Sequence, residues 1–305
     1  MPKKQNNTNT KCGFVAVVGR PNAGKSSLLN WLIGEKIALV SHKANATRKR
    51  LNMIAMHKSP DEQKESQIIF VDTPGLHKRE KLLNQFMLKE AMDAIGDCDL
   101  ILFLCPITDD VSNYEEFLEK NKKATKHIVI LTKTDFLTPG EILGKINLYK
   151  KYEKTYLNIV PISIKKGKKQ NIILNEVIKH LPYHPYLFEE DILTNQNMKE
   201  IYKELIREAV FENISDEIPY ETDVKIIQIK SKKNTEVIVA SIITNSSSQK
   251  GMLIGQKATT IKRVGMCARK KIEKLCRKKV YLDLKVEAKK GWMKTKENLK
   301  QFGYV

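Results

Sequence analysis

Eight residues, Gly19-Arg-Pro-Asn-Ala-Gly-Lys-Ser26, fit the pattern G-x-x-x-x-G-K-[ST] at every fixed position. Glycines in such a stretch let the backbone curl until its N–H groups converge on an anion. The helix that follows adds the positive end of its dipole. Gly19, Arg20, Pro21, Asn22, Ala23 and Gly24 would therefore wrap the phosphates of a nucleotide, with Ser27 completing the set. Lys25 would reach the β- and γ-phosphates, and Ser26 would ligate Mg2+. A chance match in a glycine-containing turn has odds of about one in a hundred for a chain of this length, and a strand–loop–helix context lowers them further.

A second segment, Asp72-Thr-Pro-Gly75, follows the apolar run Ile68–Val71. An aspartate at a strand's end can hold Mg2+ through water, and Gly75 would let a backbone N–H approach the γ-phosphate. Thr73, Pro74 and Leu76 belong to the same turn. Between the two segments, Ala46-Thr47-Arg48 lies in a polar loop. There Thr47 could complete the Mg2+ shell while γ-phosphate is present and let go after hydrolysis. The expected metal set is Ser26, Thr47 and Asp72; Lys25, Thr47 and Gly75 are expected to act on the γ-phosphate. Alone, a loop threonine or a D-T-P-G turn carries little weight. Their order after the cradle gives them force.

The base is addressed by Thr132-Lys-Thr-Asp135, residues that include Lys133 and Thr134. The Asp135 carboxylate accepts hydrogen bonds from guanine N1–H and the 2-amino group. Adenine lacks both donors and would leave the carboxylate desolvated and unpaired, a difference of orders of magnitude. Lys133 would lie along the purine face. Thr132 stands where a guanine-reading loop usually has Asn; it keeps a hydroxyl without the amide's reach, so a looser loop is expected. Ser163, in Pro161-Ile-Ser-Ile164, could brace Asp135 or offer a backbone N–H to guanine O6.

These segments need a scaffold. Val15–Val18, Ile68–Val71, Ile101–Leu104, Ile128–Leu131 and Ile159–Ile162 are short, β-branched and nearly unbroken by polar residues. They predict strands buried on both faces of a mainly parallel sheet, which binds ligands at the carboxyl ends of its strands. A helix over Ser26–Ile33 would follow the cradle. The expected organisation is a disordered tail (1–12), a nucleotide-binding domain (13–181), a linker marked by Pro182 and Pro185 (182–197), and a second domain (198–305). The last should contain helices over Met198–Asn213, Thr259–Cys276 and Lys294–Phe302. Its strands should be Val224–Lys230, Glu236–Thr244 and the alternating Val280, Leu282, Leu284, Val286. The fold class is thus an α/β domain followed by a smaller α+β domain.

The chain begins with a polar stretch that lacks an apolar signal core, and its apolar runs are too short to span a bilayer. A cytoplasmic protein is expected. Its five cysteines form no C-x-x-C pair, which favours reduced thiols, and its six histidines form no zinc-binding pattern. Net charge is +19, of which residues 249–305 carry +13. One short segment therefore holds most of the field, which points to a polyanion: nucleic acid or an anionic membrane.

Within that basic segment, Met252-Leu-Ile-Gly-Gln-Lys-Ala258 precedes the long helix and resembles the I-G-x-x-G segment of KH domains. In those domains a G-x-x-G turn clamps about four nucleotides of single-stranded RNA. Gly255, Gln256 and Lys257 are kept, while Ala258 replaces the second glycine, so a weaker or shifted clamp is expected. On the helix, Ile261, Val264, Ala268, Ile272 and Leu275 form a core stripe; Lys262, Arg263, Arg269 and Lys270 are expected to face RNA.

The ordered set of cradle, switch Thr, D-T-P-G, T-K-x-D and P-I-S resembles the translation-factor-like GTPases. Within them the chain is similar to the bacterial Era family over nearly its whole length, with Glu217-Ile-Pro-Tyr220 close to that family's E-I-P-H. Thr132 and Ile164 depart from the pattern. The resemblance implies a P-loop GTPase domain with a C-terminal KH domain, GTP and GDP as ligands, and Mg2+ as cofactor. It implies small-subunit ribosomal RNA near its 3′ end and the 30S pre-subunit as partners. It also permits peripheral association with the cytoplasmic face of the inner membrane. No DNA partner is expected, and the protein is expected to be a monomer. Era-like proteins resemble potassium-activated GTPases, and Asn22 occupies the cradle position that helps hold K+. Many GTPases orient the attacking water with a Gln after D-x-x-G; Leu76 stands there and cannot, so a low intrinsic rate is expected. The competing readings are a membrane-peripheral regulatory GTPase whose basic domain binds anionic lipid or a protein partner, and a small-molecule kinase, against which the D-T-P-G and T-K-x-D pair argues.

Overall fold

The computed structural model describes residues 10–35, 37, 47–75, 82–167, 170–214, 217–302 and 304. The chain divides into two compact units. One comprises residues 1–35, 47–77 and 88–195, the other residues 36–46, 78–87 and 196–305.

The first unit is built on a six-stranded sheet of order β2-β3-β1-β4-β5-β6. The strands are β1 (Cys12–Val18), β2 (Leu51–His57), β3 (Ser66–Asp72), β4 (Leu100–Pro106), β5 (His127–Thr132) and β6 (Asn158–Pro161). Every residue of β3, β4 and β5 is buried, as their unbroken apolar runs require. All pairings are parallel except that of β2 with β3. The helices are α1 (Lys25–Ile33), α2 (Leu82–Asp97, which belongs to this unit from Leu88 onward), α3 (Ser112–Lys120), α4 (Pro139–Asn147) and α5 (Gln170–His180). Phe103, Tyr114, Phe117 and Tyr149 form an aromatic core on one face of the sheet.

Three features differ from the sequence expectation. The antiparallel edge strand β2 was not foreseen: it follows a polar loop, and only Met53, Ile54 and Ala55 of its seven residues are buried. Order begins before residue 13. Cys12 opens β1, and the preceding Lys11 forms a bridge with Tyr183. Residues 183–194 also pack on the sheet instead of standing free. Tyr186, Phe188 and Ile192 cover Cys12, Ile54 and Ile69, and Gln67 bonds the backbone of Leu187 and Phe188. The prolines end the helical pattern, and apolar burial then holds the extended chain down.

The second unit contains α6 (Met198–Asn213), β7 (Asp223–Ser231), β8 (Thr235–Thr244), α7 (Ser247–Ile254), α8 (Thr259–Cys276), β9 (Lys279–Ala288) and α9 (Lys296–Gln301). Its sheet has the order β7-β8-β9, with β8 antiparallel to β7 and parallel to β9. Helices α6 and α8 bury their stripes on one face of it; Val264, Ala268 and Ile272 lie with Ile238, Ala240 and Ile242. Helix α7 was hidden in the run Asn-Ser-Ser-Ser, which reads as loop. Ser246 caps it by accepting from the Gln249 N–H. The tail aromatics pack: Trp292 is fully buried, crosses Phe302 edge-on and donates its indole N–H to the Glu221 carbonyl at 2.9 Å.

Candidate functional site

In the first unit, β1 and β3 end side by side, with Val17 opposite Asp72 in the parallel register. The chain leaving β1 forms the 19–24 loop and enters α1 at Lys25; the chain leaving β3 forms the 72–75 turn. Parallel pairing therefore delivers both sequence motifs to one end of the sheet, where the first predicts a ligand. Thr73 fastens the two together by donating its hydroxyl to the Val17 carbonyl at 2.7 Å. Gly75 comes so close that a Cβ there would lie 2.8 Å from the Pro21 nitrogen. No other residue type fits without movement.

The loop curls through positive φ at Asn22 (63°) and Gly24 (98°). Lys25 turns back over it, and its Nζ donates to the carbonyls of Gly19 at 3.1 Å and Arg20 at 3.0 Å. Burial lowers its pKa to about 8, and the nearby Arg20 adds to this while Asp72 opposes it. A buried ammonium with two neutral acceptors is under-compensated, and a phosphate is the partner that would restore its charge.

The three residues expected to hold Mg2+ meet. Ser26 Oγ donates to Asp72 Oδ2 at 2.9 Å, Thr47 Oγ1 donates to the same oxygen at 3.3 Å, and the two hydroxyls are 3.2 Å apart. Asp72 is fully buried. Two hydroxyls and a carboxylate are hard oxygen donors, the kind Mg2+ takes from protein when phosphate and water supply the rest. The donor set fits the metal. Ser27 lies half-buried in the first turn of α1. Leu76 lies outside the described residues, as does Ala46.

At the base end, Thr132 is buried, and its hydroxyl donates to the Ala23 carbonyl at 3.1 Å. A shorter side chain than Asn thus still ties this loop to the cradle, by one bond. Lys133 takes a left-handed backbone (φ 60°) and points Nζ to the Asn22 carbonyl at 3.4 Å. Thr134 N–H donates to the Ile162 carbonyl, and Ser163 Oγ donates to Asp135 Oδ1 at 2.7 Å. Ser163, with Lys165 and Lys166 nearby, holds the Asp135 carboxyl below its ordinary range. Asp135 is therefore ionised and braced, acceptor-only, as recognition of two guanine donors requires.

Sequence reasoning missed Asp109. It lies in the loop after β4 and takes the Arg20 guanidinium in a two-pronged bond, with Nη2 2.6 Å from Oδ1 and Nε on Oδ2. No motif marks it; only its place just past a strand's carboxyl end could have raised it.

In the second unit, Gly255 has φ 73°, and a Cβ on it would lie 2.3 Å from Thr260 Oγ1, so glycine is required there. Lys257 (φ 48°) and Ala258 (φ 60°) follow in left-handed conformation. Ala258 thus keeps the backbone shape that suits glycine, at a cost of about 1–2 kcal/mol. Gln256 and Lys257 are exposed at the head of α8, as are Lys262, Arg263, Arg269 and Lys270 along it. Arg263 also braces the fold, because its Nη2 donates to the Asn213 carbonyl at the end of α6, at 2.6 Å. Lys271, beside these residues, is turned inward to Glu208 and Glu212.

A phosphate cradle with a hydroxyl–hydroxyl–carboxylate set beside it, and a braced aspartate at the base end, define a P-loop GTPase; the second unit is a KH-type domain. The comparisons agree. A family described as 50S ribosome-binding GTPase matches residues 14–133, and the KH domain family matches residues 217–293. GTPase Era of Campylobacter lari is 48% identical over 96% of this chain and 99% of its own, and that of Helicobacter pylori strain G27 is 47% identical over 97% of each. Among solved structures, a tyrosine-to-alanine variant of Aquifex aeolicus Era bound to GDP and AlF4− aligns with a TM-score of 0.90, at 32% identity over 97% of this chain and 99% of that one. Era in complex with MgGDPNP and nucleotides 1506–1542 of 16S ribosomal RNA aligns at 0.89, with 33% identity over the same shares. The chain belongs to the Era GTPases, enzymes that hydrolyse GTP.

Two substitutions separate the tie at Thr132 from the expected base reader, Asp135. Thr132→Val removes the donor to a buried carbonyl and should cost about 1–3 kcal/mol of stability while weakening GTP and XTP alike. Asp135→Asn should instead move preference from GTP towards XTP. Competition binding with labelled GDP reads both; an unchanged GTP-to-XTP ratio in Asp135→Asn would remove that residue from base selection.

Proposed function

We propose that this chain is a GTP-driven RNA-binding switch that acts as a monomer in the cytoplasm during assembly of the small ribosomal subunit. Its RNA is small-subunit ribosomal RNA near the 3′ end, the segment held by the Era structure that aligns over 97% of this chain. The observation that carries the reading is Thr47: a loop residue far from the cradle in sequence, it meets Ser26 and Asp72 at the metal position.

Each site residue then has a role. The 19–24 backbone and Lys25 bind the phosphates, and Lys25 stabilises charge that develops on them. Ser26, Thr47 and Asp72 would hold Mg2+, which would supply positive charge to offset that of the phosphates. Gly75 offers its N–H to the γ-phosphate, and Thr73 keeps the turn fastened to β1. Asp135, held by Ser163, selects guanine; Thr132 and Lys133 keep the base loop against the cradle. Loss of γ-phosphate would free Thr47, and its release would bias RNA affinity. The Gly255–Ala258 turn and the basic face of α8 take the RNA.

Asn22 is exposed at the rim of the cradle, and we read it as helping to hold K+ beside the phosphates. Leucine at position 76 cannot orient water, and a bound cation would offset part of that deficit. Turnover should accordingly be faster in KCl than in NaCl. Equal rates in a GTPase assay would end the potassium role.

The RNA assignment is tested by crosslinking in cells followed by sequencing of the bound RNA. Reads should concentrate at the 3′ end of small-subunit ribosomal RNA. Reads distributed as in total RNA would overturn the assignment.

A further inference from the structure

The KH-type sheet has two faces, and the helices cover only one. The register places Lys225, Ser241 and Lys285 in one outward row, Gln228, Val239 and Asp283 in the next, then Lys230, Val237 and Tyr281. A last row carries Thr235 and Lys279. The inward rows, such as Ile226, Ala240 and Leu284, pack on α6 and α8. One end of the outward face is also covered, because Ile243 is buried with Trp292, Leu299 and Phe302. The rest is open. Tyr281 is 65% exposed, Val237 and Val239 are half-buried, and Lys225, Lys230, Lys279 and Lys285 are exposed around them.

This pattern is unlike an ordinary solvated strand face. An aromatic ring on the edge strand β9 stands beside a small apolar patch of Val237 and Val239, with cations on both edge strands and two outward carboxylates on β9, the half-buried Asp283 and the exposed Glu287 that Ser241 bonds. The hairpin beyond it adds Lys232 and Lys233. Exposed aromatics on a sheet ringed by cations hold single-stranded nucleic acid: bases stack on the ring, and the lysines meet the phosphates. Along β9, Lys279 and Tyr281 are about 7 Å apart and Tyr281 and Lys285 about 13 Å, from the rise of a strand. One extended strand can therefore touch all three.

We propose that the open outer face of β7-β8-β9 is a second RNA-contacting surface, on which Tyr281 stacks a base of single-stranded RNA and Lys230, Lys279 and Lys285 pair with its phosphates. The proposal rests on the RNA-binding reading above and adds a surface that the Gly255–Ala258 turn does not reach from its own face of the sheet. It favours length over sequence, since every base has a π-face.

The test uses the full chain and two oligouridylates, of about 20 and about four nucleotides, the second short enough for a single platform. Tyr281→Ala should weaken the longer oligomer about tenfold, and Tyr281→Phe should restore it. Lys230→Gln with Lys285→Gln should lower the slope of log affinity against log salt by about 1.4 for the longer oligomer. All three positions are exposed, so melting temperature should not move. Unchanged affinity and slope for the longer oligomer would overturn the proposal while leaving the turn's role intact. A wild-type chain that binds no RNA at all would instead remove the reading on which the proposal stands. Binding to phosphatidylglycerol vesicles that these substitutions abolish, with RNA affinity unchanged, would overturn it in favour of a membrane surface.

Discussion

A fully buried carboxylate at the end of a central strand is the constraint around which the first unit is arranged. Asp72 has no access to water, so its charge must be met by the protein or by what the protein binds. Ser26 and Thr47 converge on it from elements that are distant in sequence, and Lys25 lies near enough to exchange charge effects with it. The parallel register of β1 with β3 makes this possible, because it ends both strands at one level. A buried carboxylate, two half-buried hydroxyls and a buried ammonium together make a site that suits a metal and phosphate. Nucleotide binding is then the completion of an unfinished electrostatic arrangement.

Much of this was legible in the residues. The β-branched runs named five of the six strands of the first sheet, and the cradle, the 72–75 turn and the 132–135 loop were read in place. Long periodic stretches, Met198–Asn213 and Thr259–Cys276, were read to their observed ends. What was not legible depended on tertiary partners. Strand β2 has a weak local pattern and becomes a strand because β3 offers it an edge. Residues 183–194 look like linker and pack because Ile54 and Ile69 need cover. Asp109 carries no motif, and its meaning lies wholly in the guanidinium that reaches it.

Two of the departures from the family pattern, Thr132 and Ala258, keep the local geometry. Thr132 retains a bond to the cradle, and Ala258 adopts the left-handed conformation that its second-glycine position asks for. In both places a less suited side chain is held to the required geometry by its surroundings, which the spacing of residues could not show. The second unit divides its charge in a similar way. Lys271 and Arg263 bond to α6, while Lys257, Lys262 and Lys270 are exposed.

Thr47 is proposed to join the nucleotide to the RNA. The measurement is RNA affinity of the chain loaded with GDPNP against the chain loaded with GDP, in the parent and in Thr47→Ala. The parent should bind RNA more tightly with GDPNP, and Thr47→Ala should erase the difference without loosening GDP. Equal RNA affinity for both nucleotide states of the parent would contradict the claim outright.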